Sequence, residues 1–182
     1  VEFQAGRAGL EYASEKGIGV MVMEPLRGGK LAGRVPPAVL EEWAKTTTRR
    51  SPVQWAFLWL WDQPQVCMAL SGMSSMDQLE ENIRIAGEAG AGILREEDKD
   101  IIRRVREIYL SRSKVGCTGC GYCLPCPSGV NIPWNLSLYN NRFMFDEEEL
   151  SAMVYNHVIP PGERAFNCVE CGRCETLCPQ KI

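Results

Sequence analysis

Eight of the nine cysteines stand in two runs. The first is Cys117-Thr-Gly-Cys120-Gly-Tyr-Cys123-Leu-Pro-Cys126-Pro127, and the second is Cys168-Val-Glu-Cys171-Gly-Arg-Cys174-Glu-Thr-Leu-Cys178-Pro179. In the second run three cysteines spaced by two residues are followed, after three more, by a fourth and a proline. That is the ligand spacing of cubane iron–sulfur clusters in bacterial two-cluster proteins. An iron atom wants a thiolate sulfur at about 2.3 Å, taking zinc–sulfur bonds as the guide. Cysteines two residues apart on a tight loop aim their sulfurs at neighbouring corners of one cube, and loop amides tune its potential. Gly119, Gly121 and Gly172 suit the close backbone approach and the positive φ that such wrapping demands. Pro127 and Pro179 remove an amide and turn the chain away.

Other uses of cysteine fit the pattern less well. Structural zinc takes Cys-x-x-Cys as two pairs per metal, not three or four cysteines in a row. A disulfide framework belongs to short secreted chains, and no secretory signature is visible. A thioredoxin-like redox pair has no need of four such spacings. Where two clusters share two runs, the fourth cysteine of each run serves the other cluster. The expected sets are then Cys117, Cys120, Cys123 and Cys178, and Cys126, Cys168, Cys171 and Cys174. The first run has two residues, not three, before its last cysteine, so its crossing rests on a looser match.

The 182 residues suffice for one ordinary domain, or for a partial domain plus a small one. Hydrophobic content of 45% and charged content of 24% are those of a globular protein. A net charge of −3 gives no reason to expect nucleic acid as a partner. Bound clusters add negative charge, so a protein docking at the cysteine end is expected to be locally basic. The longest apolar run, Ala56 to Trp61, is too short to span a bilayer, and no signal peptide is visible at Val1. Both ends read as cut, since the chain stops at Lys181-Ile182 just after a ligand run. Thiolates and clusters belong in a reducing compartment, which places the protein in the cytoplasm as an expectation.

The elements ahead of the cysteines alternate. Residues 4–16 read as a helix closed by Gly17. Ile18 to Met23 and Val66 to Leu70 are short apolar runs, the pattern of strands buried on both faces. Cys67 within the second reads as a small core residue. Residues 36–45 form a helix with prolines at its start, and Ser51-Pro52 caps another that carries Val53, Ala56, Phe57, Leu60 and Trp61. Ser75-Met-Asp-Gln78 resembles a capping box opening a helix to about Gly87, and residues 96–110 form a further helix. Such alternation implies βα units on a parallel sheet. Two strands make no stable parallel core, so the piece belongs to a larger sheet. From Ser111 the composition turns to cysteine, glycine, proline and asparagine. The domains are therefore residues 1–110 and 111–182. Short helices over 134–140 and 146–157, the second capped by Asp146, make the latter mainly helical.

The stretch Glu11-Tyr-Ala-Ser-Glu-Lys-Gly-Ile-Gly-Val-Met-Val-Met-Glu-Pro-Leu-Arg-Gly-Gly-Lys-Leu31 resembles the aldo-keto reductase family. So do Ser51-Pro-Val-Gln-Trp-Ala56 and Ser71-Gly-Met-Ser-Ser-Met-Asp-Gln-Leu-Glu-Glu-Asn82. With the cysteine runs, the chain is similar to the branch that carries a C-terminal 4Fe-4S ferredoxin domain. The resemblance implies a fold that is α/β plus α: C-terminal βα units of a (β/α)8 TIM barrel, then a mainly helical, ferredoxin-like two-cluster domain. Ile18–Met23 would be its seventh strand and Val66–Leu70 its eighth. It implies NADP(H) or NAD(H) as cofactor, with Met23, Glu24, Pro25, Leu26, Gly28 and Lys30 on the nicotinamide and pyrophosphate side. Gly72, Ser74, Gln78, Glu81 and Asn82 would hold the adenosine phosphate end. Gln78 stands where many relatives carry an arginine for the 2′-phosphate, which leaves the choice between NADP(H) and NAD(H) open. Taken without the family, Gly28-Gly29 simply make a turn and Asn82 caps or faces solvent.

The family's catalytic Asp, Tyr, Lys and His lie on its first four strands, which no segment here matches, so no catalytic residue is assigned. His157, the one histidine, reads as solvated or packing. The tyrosines at 12, 109, 122, 139 and 155 lie outside any catalytic match. The resemblance thus implies the C-terminal part of an NAD(P)H-dependent oxidoreductase that transfers hydride to a small carbonyl substrate. Hydride carries two electrons and a cubane cluster takes one, and no flavin fingerprint bridges them. The clusters then serve an electron-transfer protein or stabilise the appended domain. The alternative is a non-catalytic ferredoxin-like electron-transfer or structural metal-binding module. Exposed barrel edges make association through residues 1–110, as a homodimer, a further expectation.

Overall fold

The computed structural model describes residues 6–182. The fold is mixed α/β, and the chain divides into two compact units, residues 1–108 and 109–182. The division falls within a helix.

In the first unit, α1 (Gly6–Glu15) leads to β1 (Val20–Val22), then α2 (Lys30–Gly33), α3 (Pro37–Ala44) and α4 (Pro52–Trp61). The first two residues of the helix expected from residue 4 lie outside the described residues. Strand β2 (Val66–Ala69), α5 (Met76–Glu88) and α6 (Glu96–Arg112) follow. Ser51 opens α4 with a full capping box: its hydroxyl accepts from the Gln54 amide at 3.1 Å, and its own amide donates to Gln54 Oε1 at 2.9 Å. The core is Phe57, Leu58, Ile85 and Leu94, against which Leu26, Val53, Trp59, Trp61, Ala69 and Ile102 pack. Asp62, at the end of α4, ties down the approach to α6 by accepting from the Leu94 amide at 2.8 Å.

Strands β1 and β2 are parallel, with Val20 opposite Val66, Met21 opposite Met68 and Val22 opposite Ala69. Register slips by one residue after the first pair, and Cys67 is the extra residue. This corrects the core reading of Cys67, which is exposed. The bulge throws its side chain off the packed face. The expectation of strands buried on both faces is corrected as well. Val22 and Ala69 are half-buried, whereas their neighbours Met21 and Met68 are 64% and 49% exposed. Helices α1 and α4 pack on this pair from within the unit, and among the described residues no layer covers the methionines.

In the second unit, α7 (Ile132–Met144) and α8 (Glu148–Met153) pack together. A single π-helical turn, Val154–Val158, continues α8, and α9 (Arg173–Leu177) lies within the second cysteine run. Val130, Met144, Phe145 and Ile159 are buried, and the Tyr109 ring meets Phe145 at 5.5 Å. The cap of α8 is Glu147, not Asp146, whose φ of 53° puts it in the left-handed turn before the helix. The Asp146 carboxylate pairs instead with Arg112. No described helix is long and apolar enough to cross a membrane.

Candidate metal centre

Each cysteine run is shaped by left-handed backbone. Gly119, Gly121 and Gly172 have φ of 70°, 79° and 71°. A Cβ at any of the three would meet nothing within 4 Å, so glycine serves conformation there and not space. Gly172 opens the helix α9 that carries Cys174 and delivers Cys178 at its end.

These turns bring residues from both runs together. Cys117, Cys120 and Cys123 of the first and Cys178 of the second line one shallow hollow, whose wall also includes Thr118, Gly121, Pro133, Pro179, Gln180 and Ile182. Burial pushes the Cys123 thiol above its ordinary value; its own backbone amide pulls the other way, and the charges of Cys117, Cys120 and Cys174 add to the rise. The Cys178 thiol is lowered, chiefly by the backbone of Ile182, with Gln180 and Lys181 acting in the same sense against a smaller effect of burial. Amides that point at a sulfur favour its thiolate form. In the second run the Glu170 amide donates to Cys168 Sγ at 3.4 Å. Cys168 and Cys171 are exposed, while Cys126 and Cys174 are half-buried. All eight are free thiols.

Four sulfurs on one tetrahedral ion stand about 3.8 Å apart, given bonds of about 2.3 Å. Among the described residues, no three His, Cys, Asp or Glu side chains converge closely enough to hold a single metal ion. A cubane takes each thiolate on a different iron and so spreads them. Four thiols lining one hollow are a donor set whose chemistry fits such a cluster.

The residues expected around a nicotinamide cofactor lie on two loops that leave the same end of β1 and β2, as the parallel pairing requires. Met23 is 73% exposed, Glu24 and Gly28 are exposed with positive φ, and Pro25 and Lys30 are half-buried. Leu26 packs on the core instead of facing the loop. In the second loop, Gly72 is open to solvent. Gln78 Oε1 accepts from the Ser74 amide at 2.9 Å, so only half of the expected capping box forms, the Ser75 hydroxyl accepting from the Gln78 amide. Asn82 donates to the Ser71 hydroxyl at 3.1 Å, and Glu81 accepts from the Ser51 hydroxyl at 2.8 Å. Three of these polar groups therefore already have partners within the unit. His157 is exposed on the π-helical turn.

The cysteine spacing gives no hint of Asn135 and Asn140, whose side-chain amides bind the backbone ahead of each run. The signal available was the recurrence of asparagine along α7, the first helix after the first run.

Residues 5–89 match the family model described as aldo/keto reductase, and residues 116–182 match that of a 4Fe-4S dicluster domain. An uncharacterized oxidoreductase of Schizosaccharomyces pombe is 37% identical over 78 residues. That match covers 43% of this chain, and the chain spans about a quarter of the length of that relative, 24%. No solved structure matches. The chain thus carries one segment, residues 5–89, that is similar to the aldo/keto reductase family, and another, residues 116–182, that is similar to 4Fe-4S dicluster domains.

Proposed function

We propose that the chain is the C-terminal part of an NAD(P)H-dependent iron–sulfur oxidoreductase, in which residues 116–182 hold two 4Fe-4S clusters. The hollow lined by Cys117, Cys120, Cys123 and Cys178 is the observation that supports this reading most directly. These four would hold one cluster, and Cys126, Cys168, Cys171 and Cys174 the other. A cubane cluster accepts and releases one electron at a time. The chain's own work is to present thiolates from both runs on turns held by the left-handed Gly119, Gly121 and Gly172.

In the first unit, β1 and β2 would be the last two strands of a (β/α)8 barrel, whose other strands would cover Met21 and Met68. The loops holding Met23 to Lys30 and Gly72 to Asn82 would then line the nicotinamide cofactor, and a small carbonyl compound would be reduced in the complete enzyme. The clusters would exchange electrons with a separate protein in the cytoplasm.

The intramolecular bonds of Gln78, Glu81 and Asn82 favour a second reading, a non-catalytic electron-transfer module. Titrating the anaerobic holoprotein with NADPH and NADH separates the two. Quenching of cofactor fluorescence that Lys30→Ala weakens about tenfold supports the reductase, whereas no binding by the complete enzyme leaves the electron-transfer module.

A further inference from the structure

Helix α7 lies between the two cysteine runs in sequence, and its polar side chains are spent on the backbone that leads into each. Asn140 is 8% exposed. Its Oδ1 accepts from the Lys114 amide at 3.0 Å and the Val115 amide at 2.9 Å, while its Nδ2 donates to the Val115 carbonyl at 2.7 Å. Val115 is two residues ahead of Cys117. One side chain thus satisfies both backbone groups of Val115, which leaves that residue no freedom to shift along the helix.

At the other end of α7 the pattern repeats toward the second run. Asn135 Oδ1 accepts from the Ala165 amide at 3.1 Å, and its Nδ2 donates to the carbonyls of Glu163 at 2.9 Å and Asn131 at 2.8 Å. Asn131, the cap of α7, donates from its backbone to the Glu163 carbonyl at 3.0 Å and from its side chain to Glu163 Oε2 at 2.9 Å. Ala165 is three residues ahead of Cys168. The two asparagines are five residues apart, which on a helix is about 140° of rotation and about 7.5 Å of rise. They therefore face different sides, and each grips one strand of chain. Pro133, on the first turn of α7, lines the hollow itself.

We propose that α7 is the gauge between the clusters: Asn140 is the positioning residue of the run Cys117–Cys123, and Asn135 that of the run Cys168–Cys174. Each acts through backbone that it holds, without touching a sulfur. The proposal rests on the iron–sulfur reading above. A helix that merely contributed packing would lose both clusters together when weakened, because both share one fold. A gauge with two independent grips loses them one at a time.

The test is made on the anaerobically reconstituted full chain. Iron, acid-labile sulfide and the EPR spectrum of the dithionite-reduced protein are read for Asn140→Leu and Asn135→Leu. Cys117→Ala and Cys168→Ala assign the two signals. Asn140→Leu is expected to lose about half of the iron and sulfide, with the spectrum left by Cys117→Ala. Asn135→Leu is expected to lose about half with the spectrum left by Cys168→Ala. If either leucine variant loses its helical circular dichroism, Asn140→Asp and Asn135→Asp decide. Each keeps the acceptor and lacks the donor, and each should shift or broaden only its own run's signal. Equal loss of both signals, or no change in either, overturns the gauge while the loaded wild type leaves the cluster reading standing. A wild type that takes up no iron and sulfide overturns both.

Discussion

Gly129 and Gly162 stand back to back: a Cβ on Gly129 would come within 3.1 Å of the Gly162 carbonyl oxygen. Gly129 follows the first cysteine run and Gly162 precedes the second, so this contact closes the gap between them. Its φ of 77° adds a second demand for glycine. Gly129→Ala therefore faces strain and collision with backbone together. It should cost more than the roughly 1–2 kcal/mol of a left-handed alanine alone. Gly121→Ala, where nothing lies within 4 Å, should cost only that amount. Urea denaturation of the two apoprotein variants measures the difference.

Asp98 is 1% exposed and pairs with Arg50 at 3.1 Å, while the Arg50 guanidinium stacks on Trp55 at 4.6 Å and Trp55 on Trp43 at 4.5 Å. Asp98 Oδ2 also accepts from the Arg95 amide that opens α6. Removing the carboxylate leaves the mostly buried Arg50 without its counter-charge. Asp98→Ala should destabilise the first unit by about 3–5 kcal/mol. The readout is the shift of its unfolding midpoint, with the second unit's cluster spectrum unchanged.

Glu42 is buried on α3 and carries bonds from Lys45 and from Arg104 of α6. The hydrogen bond from Lys45, followed by that from Arg104, holds its carboxyl below the ordinary value of 4.5, against the opposing effect of burial. A depressed carboxyl stabilises the folded state above its unfolded value and loses that contribution as pH falls through the folded one. Stability should thus be full above about pH 4.5 and decline below it. Glu42→Gln should flatten that acid limb, as followed by urea denaturation across the acid range. An unchanged slope would show that Glu42 titrates as it does in the unfolded chain.

Ser51 unites two roles, since it caps α4 and its hydroxyl donates to Glu81 at 2.8 Å. Ser51→Ala should cost about 1–2 kcal/mol through the lost cap. It also frees the Glu81 carboxylate. If that carboxylate serves only as a brace, Glu81→Ala leaves nicotinamide binding by the complete enzyme unchanged. Binding that falls in Glu81→Ala and not in Ser51→Ala would assign it to the cofactor.

Much of the arrangement was legible in residue spacing because the causes are local. Ser51-Pro52 announces a helix start, and Ser51 caps α4 as expected. Gly119, Gly121 and Gly172 announce positive φ between cysteines, and all three have it. Less local features escaped. Cys67 looks like a core residue within an apolar run, but the register slip that exposes it depends on how β1 pairs with β2. Asp146 has the chemistry of a cap, yet Arg112 competes for its carboxylate and the chain starts α8 one residue later. Asn140 reads as an ordinary polar residue of a short helix. Its role follows from backbone at Lys114 and Val115, twenty-five or more residues away.

The most direct test of the account is iron and acid-labile sulfide per chain on anaerobically purified protein, with EPR after dithionite. Two clusters of four irons each predict about eight of both, with reduced cubane signals. Zinc in place of iron, with no sulfide after anaerobic reconstitution, would contradict it.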